Sequence, residues 1–110
     1  MNLSVITGER CAVIRLEGRL TAPSVAQFRQ TVDELVAAGD VRVAVDLSAT
    51  EFVDSSGLGA LVGGLKSARL AGGDLRVTGI TDQVRNVFKL TNLDRVLHDY
   101  PSPEAAFDAD

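Results

Sequence analysis

One cysteine and one histidine among 110 residues leave this chain with little reactive chemistry. Cys11 has no partner for an internal disulfide, which suits a reducing compartment. It stands in an alternating apolar stretch and reads as a small core residue, not a reactive thiol. Cys11 and His98 alone exclude the usual zinc-ligand patterns. No apolar run approaches the ~20 residues that cross a bilayer. The segment 1–10 lacks the basic stretch and long apolar region of a signal peptide. Cytoplasmic residence without membrane insertion is therefore expected. Lysine and arginine are scattered, and the net charge is −4. With no basic cluster to displace counterions, no nucleic acid partner is expected.

The missing motifs exclude as much as the missing residue types. No lysine follows the glycines as in a P-loop. Val53 stands where a nucleophile elbow needs its first glycine, and a hydrolytic triad would need His98 beside Ser55. A small serine hydrolase is thus the weakest of the functional readings. Asp94, Asp99, Asp108 and Asp110 lack the spacing of a calcium loop and read as solvated surface. No cofactor is expected, and the chain reads as a non-enzyme.

What is present is a patterned, globular sequence. Hydrophobic residues make up 45% of it, which excludes wholesale disorder. The length suits one domain, residues 1–110, and no linker or repeat divides it. Leu3 and Val5, then Ala12, Ile14 and Leu16, alternate as strands around a tight turn at Gly8-Glu9. Thr21-Ala-Pro-Ser24 opens a helix in which Val25, Phe28, Val32, Leu35 and Val36 recur at helical spacing, with Gly39 at its end. Val41, Val43, Val45 and Leu47 alternate as a strand. Leu58, Leu61, Val62 and Leu65 make a second helical stripe, ending near Ala71-Gly-Gly73. Leu75 and Val77 form a short strand, and Val84, Val87 and Phe88 a third helix. A short extended segment follows Leu97, and Pro101-Ser-Pro103 starts a last helical turn. The order β-β-α-β-α-β-α-β-α predicts an α/β domain. Its mixed sheet of four to five strands carries about four helices and an opening hairpin.

Asp54, Ser55 and Ser56 stand where the second helix begins, the place where backbone N–H groups lack partners. A hydroxyl there either caps the helix or receives a phosphate that the helix dipole tolerates. Asp54 either orients the serine or caps alongside it. Gly57, Gly59, Gly63 and Gly64 each cost ~1 kcal/mol in a helix relative to alanine, which points to close packing by the sheet or by a partner.

Phe52-Val-Asp-Ser-Ser-Gly-Leu-Gly-Ala-Leu61 resembles the signature of the STAS domain, and within that family the bacterial anti-sigma factor antagonists. Arg15-Leu-Glu-Gly-Arg-Leu20 resembles the family's second strand and the turn into its first helix. Ala71-Gly-Gly-Asp-Leu-Arg-Val77 resembles its glycine pair and following strand, and Val87-Phe-Lys-Leu-Thr-Asn-Leu-Asp94 its third helix. The resemblance implies the α/β fold already derived and a phosphorylation-switched regulator. Unphosphorylated, it binds an anti-sigma factor serine kinase and so frees a sigma factor. The kinase phosphorylates Ser55, which abolishes binding, and a serine phosphatase restores it. Asp54, Ser56, Gly57, Thr21 and Gly63 are the expected partner contacts. Thr21 departs from the aspartate that many antagonists carry there, and by its own chemistry suits the first helix's N-cap. The rival within the family is a constitutive STAS subunit of a transport ATPase or signalling assembly, without phosphorylation.

Overall fold

In the computed structural model, which describes residues 1–108, the alternating segments become strands with one face each on a common core. β1 (Asn2–Thr7) and β2 (Ala12–Leu20) pair antiparallel, closed by the Gly8 N–H donating to the Cys11 carbonyl at 3.0 Å. The turn itself spans Glu9 and Arg10, one position later than expected, and needs no positive φ. β2 then runs parallel to β3 (Arg42–Asp46), which pairs with β5 (Asp74–Thr78), which pairs with β6 (Asp99–Tyr100). The α/β class, the mixed sheet and the opening hairpin are as the sequence predicts. The sheet has six strands and not four or five, because Thr50–Val53 forms β4 against β2.

That additional strand fixes where β2 ends. β2 pairs with β3 over Ala12–Arg15 and with β4 over Gly18–Leu20, with a register shift between Gly18 and Arg19. Gly18 has φ of +103°, a conformation that a side chain would strain, so glycine makes the bulge possible. The Thr50 hydroxyl, buried, donates to the Leu16 carbonyl at 2.7 Å and fastens β4 to its neighbour. Leu20 and Val53 end their strands side by side.

Helices α1 (Ala22–Ala37), α2 (Ser55–Leu70) and α3 (Asp82–Leu90) cover one face of the sheet. Phe28, Val32, Leu35, Leu58, Leu61 and Leu65 meet Ile14, Leu16, Val43, Val45, Leu75 and Val77 there. Gly39 ends α1 with φ of +91°, as its position suggested. On the opposite face the short α4 (Pro103–Ala106) and Phe107 pack on Ala44, with Cys11, Val13 and Tyr100 around them. The Arg76 guanidinium lies 4.4 Å from the Phe107 ring centre and donates to the Ala106 carbonyl at 2.6 Å, holding α4 down. Cys11 is half-buried beside this smaller core, and burial, helped by the Glu104 charge, pushes its thiol pKa up. It therefore stays protonated and weakly nucleophilic at neutral pH. Asp110 of the acidic set lies outside the described residues.

Replacing Thr50 by valine keeps shape and removes the bond to Leu16. Urea denaturation is expected to show a loss of about 1–2 kcal/mol, since one buried acceptor is left without its donor. The folded circular dichroism spectrum should be unchanged.

Candidate functional site

The parallel ends of β2 and β4 bring the starts of α1 and α2 together. Asp54 is the N-cap of α2, and its carboxylate serves both helices. Oδ1 accepts the Gly57 N–H at 2.8 Å, and Oδ2 accepts the Ala22 N–H of α1 at 3.3 Å. The Asp54 N–H donates to the Leu20 carbonyl at 3.2 Å. One residue thus binds the end of β2, the start of α1 and the first turn of α2.

Thr21 is the N-cap of α1, with its N–H donating to Ser24 Oγ at 3.0 Å. The same Ser24 oxygen lies 3.1 Å from the Arg19 carbonyl, so the turn is closed on both sides. Thr21 is half-buried, directly beside Ala22, whose N–H meets Asp54.

Ser55 and Ser56 occupy the first two helical positions and are exposed. Among the described residues neither hydroxyl has a hydrogen-bond partner, while Asp54 caps the helix. Of the three oxygen-bearing side chains at this start, the carboxylate took the structural duty and left both serines without one.

Each glycine of α2 has a different surrounding. Gly57 is buried, and a Cβ there would strike the Leu20 carbonyl oxygen and stand 2.9 Å from Val53 Cγ1. It supports the site from beneath. Gly63 faces α1, where a Cβ would stand 2.7 Å from Arg29 Nη1. It lies ~12 Å along the axis from Ser55, eight residues at 1.5 Å each, so it is not part of the Asp54 cluster. Gly64 packs against Leu75 and Val32. Gly59 is the exception: it is exposed, and a Cβ there would meet nothing within 4 Å. One turn beyond Ser55, it carries the helix-propensity cost of glycine with no packing reason inside the molecule.

Sequence reasoning missed Gly59 as distinct from its neighbours, and it missed a second feature. Arg19 and Phe52 pair across β2 and β4, with the guanidinium 5.0 Å from the ring centre. Phe52 is 38% exposed, so an aromatic–arginine pair stands on the surface of the two strands that lead into the corner. The strand registers are what reveal this pair. His98 is exposed and adjoins β6, three strands away from β2. Through the strand registers Asp99 lies level with Ile14, whereas Ser55 lies beyond Val53 and Leu20, six residues further along at about 3.3 Å each, too far for His98 to reach it. Among the described residues no group of His, Cys, Asp and Glu could hold a metal ion, and no helix is long and apolar enough to cross a membrane.

The serines thus stand at a strand–cap–helix corner beside the start of a second helix. A family model described as "Mlab, STAS domain" matches residues 4–98, and the chain belongs to the STAS domain family. The relatives are more particular. An anti-sigma-B factor antagonist of Staphylococcus aureus (strain NCTC 8325 / PS 47) is 24% identical over 98 residues, covering 89% of this chain and 91% of that protein. A candidate anti-sigma factor antagonist from Thermotoga maritima superposes with a TM-score of 0.88 at 27% identity, covering 96% of this chain and 92% of that one. The anti-sigma factor antagonist SpoIIAA in its unphosphorylated form gives a TM-score of 0.80 at 25% identity, covering 94% and 92%. The phosphorylated form of this Bacillus cell fate determinant shares the fold, with a TM-score of 0.73 at 24% identity over 97% of each chain. The family resemblance read from Phe52 to Leu61 is borne out.

The division of labour at the helix start has a measurable consequence. Asp54→Ala loses a cap and the tie to α1, and should cost about 1–2 kcal/mol in chemical denaturation. Ser55→Ala should stay within about 0.5 kcal/mol of the parent, because its hydroxyl bonds to nothing.

Proposed function

We propose that this chain is an anti-sigma factor antagonist switched by phosphorylation of Ser55. The observation that carries the reading is an exposed hydroxyl at the first position of α2 that the fold does not use, next to a carboxylate that the fold does use. In the unphosphorylated form the protein binds an anti-sigma factor serine kinase, which releases its sigma factor. The kinase then transfers a phosphate from its own ATP to Ser55, and a serine phosphatase reverses the step. The names of the relatives support the antagonist role, and the two forms of SpoIIAA support a phosphorylated state in that protein.

The physics of the switch follows from the corner. A phosphate adds about −1.5 to −2 charges and three acceptor oxygens. At the start of α2 the dipole offsets roughly 0.3–1 kcal/mol of that for the free domain. The Asp54 carboxylate is engaged with both helices, so the phosphate and this group sit side by side. A docked partner has to bury this charge, and burying it unpaired costs several kcal/mol. With ~1.4 kcal/mol per factor of ten, part of that penalty is enough to release the partner. The fold survives and the complex does not.

The docking surface in this reading consists of Asp54, Ser55 and Ser56, the Thr21 turn, and the exposed side of α2 through Gly59. Gly57 supports it from inside, and Gly63 contributes through the Arg29 guanidinium that covers it. Arg19 and Phe52, an arginine and an aromatic of the kind enriched at interface centres, pair on the strands that lead into it. A constitutive STAS subunit would leave the free serine without a role.

Incubation with the cognate kinase and ATP should place one phosphate on Ser55, read by phosphopeptide mapping. Modification confined to Ser56 or Thr50 contradicts the assignment. Gly59→Leu should fold normally, since the space is open, and bind the kinase at least tenfold more weakly by calorimetry. His98→Leu, the distant control, should bind like the parent.

A further inference from the structure

The free edge of β1 carries an inference that does not rest on the reading above. Among the described residues β1 pairs only with β2 and ends the sheet. In an antiparallel ladder, residues alternate between exchanging both backbone bonds with the neighbour and pointing both groups away. The bond from the Gly8 N–H to the Cys11 carbonyl fixes the phase, because Gly8 and Cys11 continue the register of Thr7 with Ala12. Ser4 and Ile6 therefore bond to β2. Leu3, Val5 and Thr7 aim their N–H and C=O groups outward, where no other element of the sheet lies.

Native proteins usually blunt such an edge with lysine, proline, a bulge or a very short strand. This one has none of those. Residues 1–8 hold no charged side chain and no proline, and the six-residue register with β2 is unbroken. Val5 and Ile6 are 39% and 67% exposed. Water satisfies these groups in the free chain, and an extended strand is the protein element that matches all of them at once.

We propose that β1 is a self-pairing edge, through which two copies of this chain join antiparallel into one continuous sheet. Two-fold symmetry requires facing residues to share a sheet face, so their numbers must have the same parity. Pairing Val5 with Val5 of the second copy, and Leu3 with Thr7, meets that condition. It also matches outward-pointing residues to each other, so each facing pair exchanges two hydrogen bonds. Side chains agree with this register. Ser4 of the second copy comes beside Ile6, which otherwise stands open above the groove of about 450 Å³ that it shares with Val13 and Phe107. Charge agrees as well: the chain carries −4, and its edge is a neutral strip on which two acidic molecules meet without like charges opposed. The strand is only ~20 Å long, so the contact is small and the association weak and concentration-dependent.

Sedimentation equilibrium of the whole chain at rising concentration, up to about 1 mM, tests this at the weak end of specific association. The parent should move from monomer toward dimer. Val5→Lys, which opposes two ammonium groups across the two-fold axis, should remain monomeric with an unchanged melting curve, and so should Val5→Glu. Mixing the two variants should restore a dimer. Amide exchange at Leu3, Val5 and Thr7 should slow with concentration in the parent, while that at Ser4 and Ile6 should not change. A parent that stays monomeric throughout, or a Val5→Lys protein that dimerises as the parent does, overturns the proposal. Failure of the mixed variants to associate overturns the register.

Discussion

The close approach of the Leu20 carbonyl to Gly57 is the constraint around which the corner of Asp54, Ser55 and Ser56 is organised. It exists because β2 and β4 run parallel and stop side by side, and because position 57 has no side chain to hold them apart. From that contact the rest follows. Asp54 comes within reach of the Leu20 carbonyl with its N–H and of two helix starts with its carboxylate. The bulge at Gly18 is the upstream half of the same device, since it carries β2 from β3 onto β4. Two glycines, one used for its backbone freedom and one for its lack of bulk, thus set the geometry of a site that neither forms chemically.

The sheet's two faces are unequal, and their inequality explains where the serine corner is supported. One face holds the large core under three helices, while the other carries α4, Phe107 and the Arg76 side chain that clamps them. The corner with the serines belongs to the well-supported side, where α1 and α2 pack on each other and on the central strands. The edge at β1 lies on the strand next to β2, with its start beside the Thr21 turn and its outward backbone groups facing away from the sheet.

Much of this was legible in the chain. Strands with strict alternation and helices with regular apolar spacing appear where expected, because the large apolar side chains fall on one face, even in β3 where the small Ala44 is buried on the other. β4 was not legible. Its burial runs buried, exposed, exposed, buried over Thr50–Val53, which matches no two-residue period, and its pairing begins after a bulge. The site was half legible. Asp54, Ser55 and Ser56 were marked, yet three neighbouring side chains could each have capped α2. Only a carboxylate has two oxygens to serve N–H groups on two helices, and the second of those, at Ala22, is distant in sequence. Likewise, helical spacing told nothing of what stood opposite each glycine. Arg29 over Gly63 and open space over Gly59 are tertiary facts.

Ser55 is held at the end of a preassembled corner, yet contributes no bond to it. A group added there or removed there would alter the surface at once, with no strand to re-register and no helix to re-form. Interconversion between the two surfaces would then run at the pace of whatever chemistry acts on that oxygen. No slow relaxation of the chain would lag behind, and no memory of the previous state would be stored in its shape.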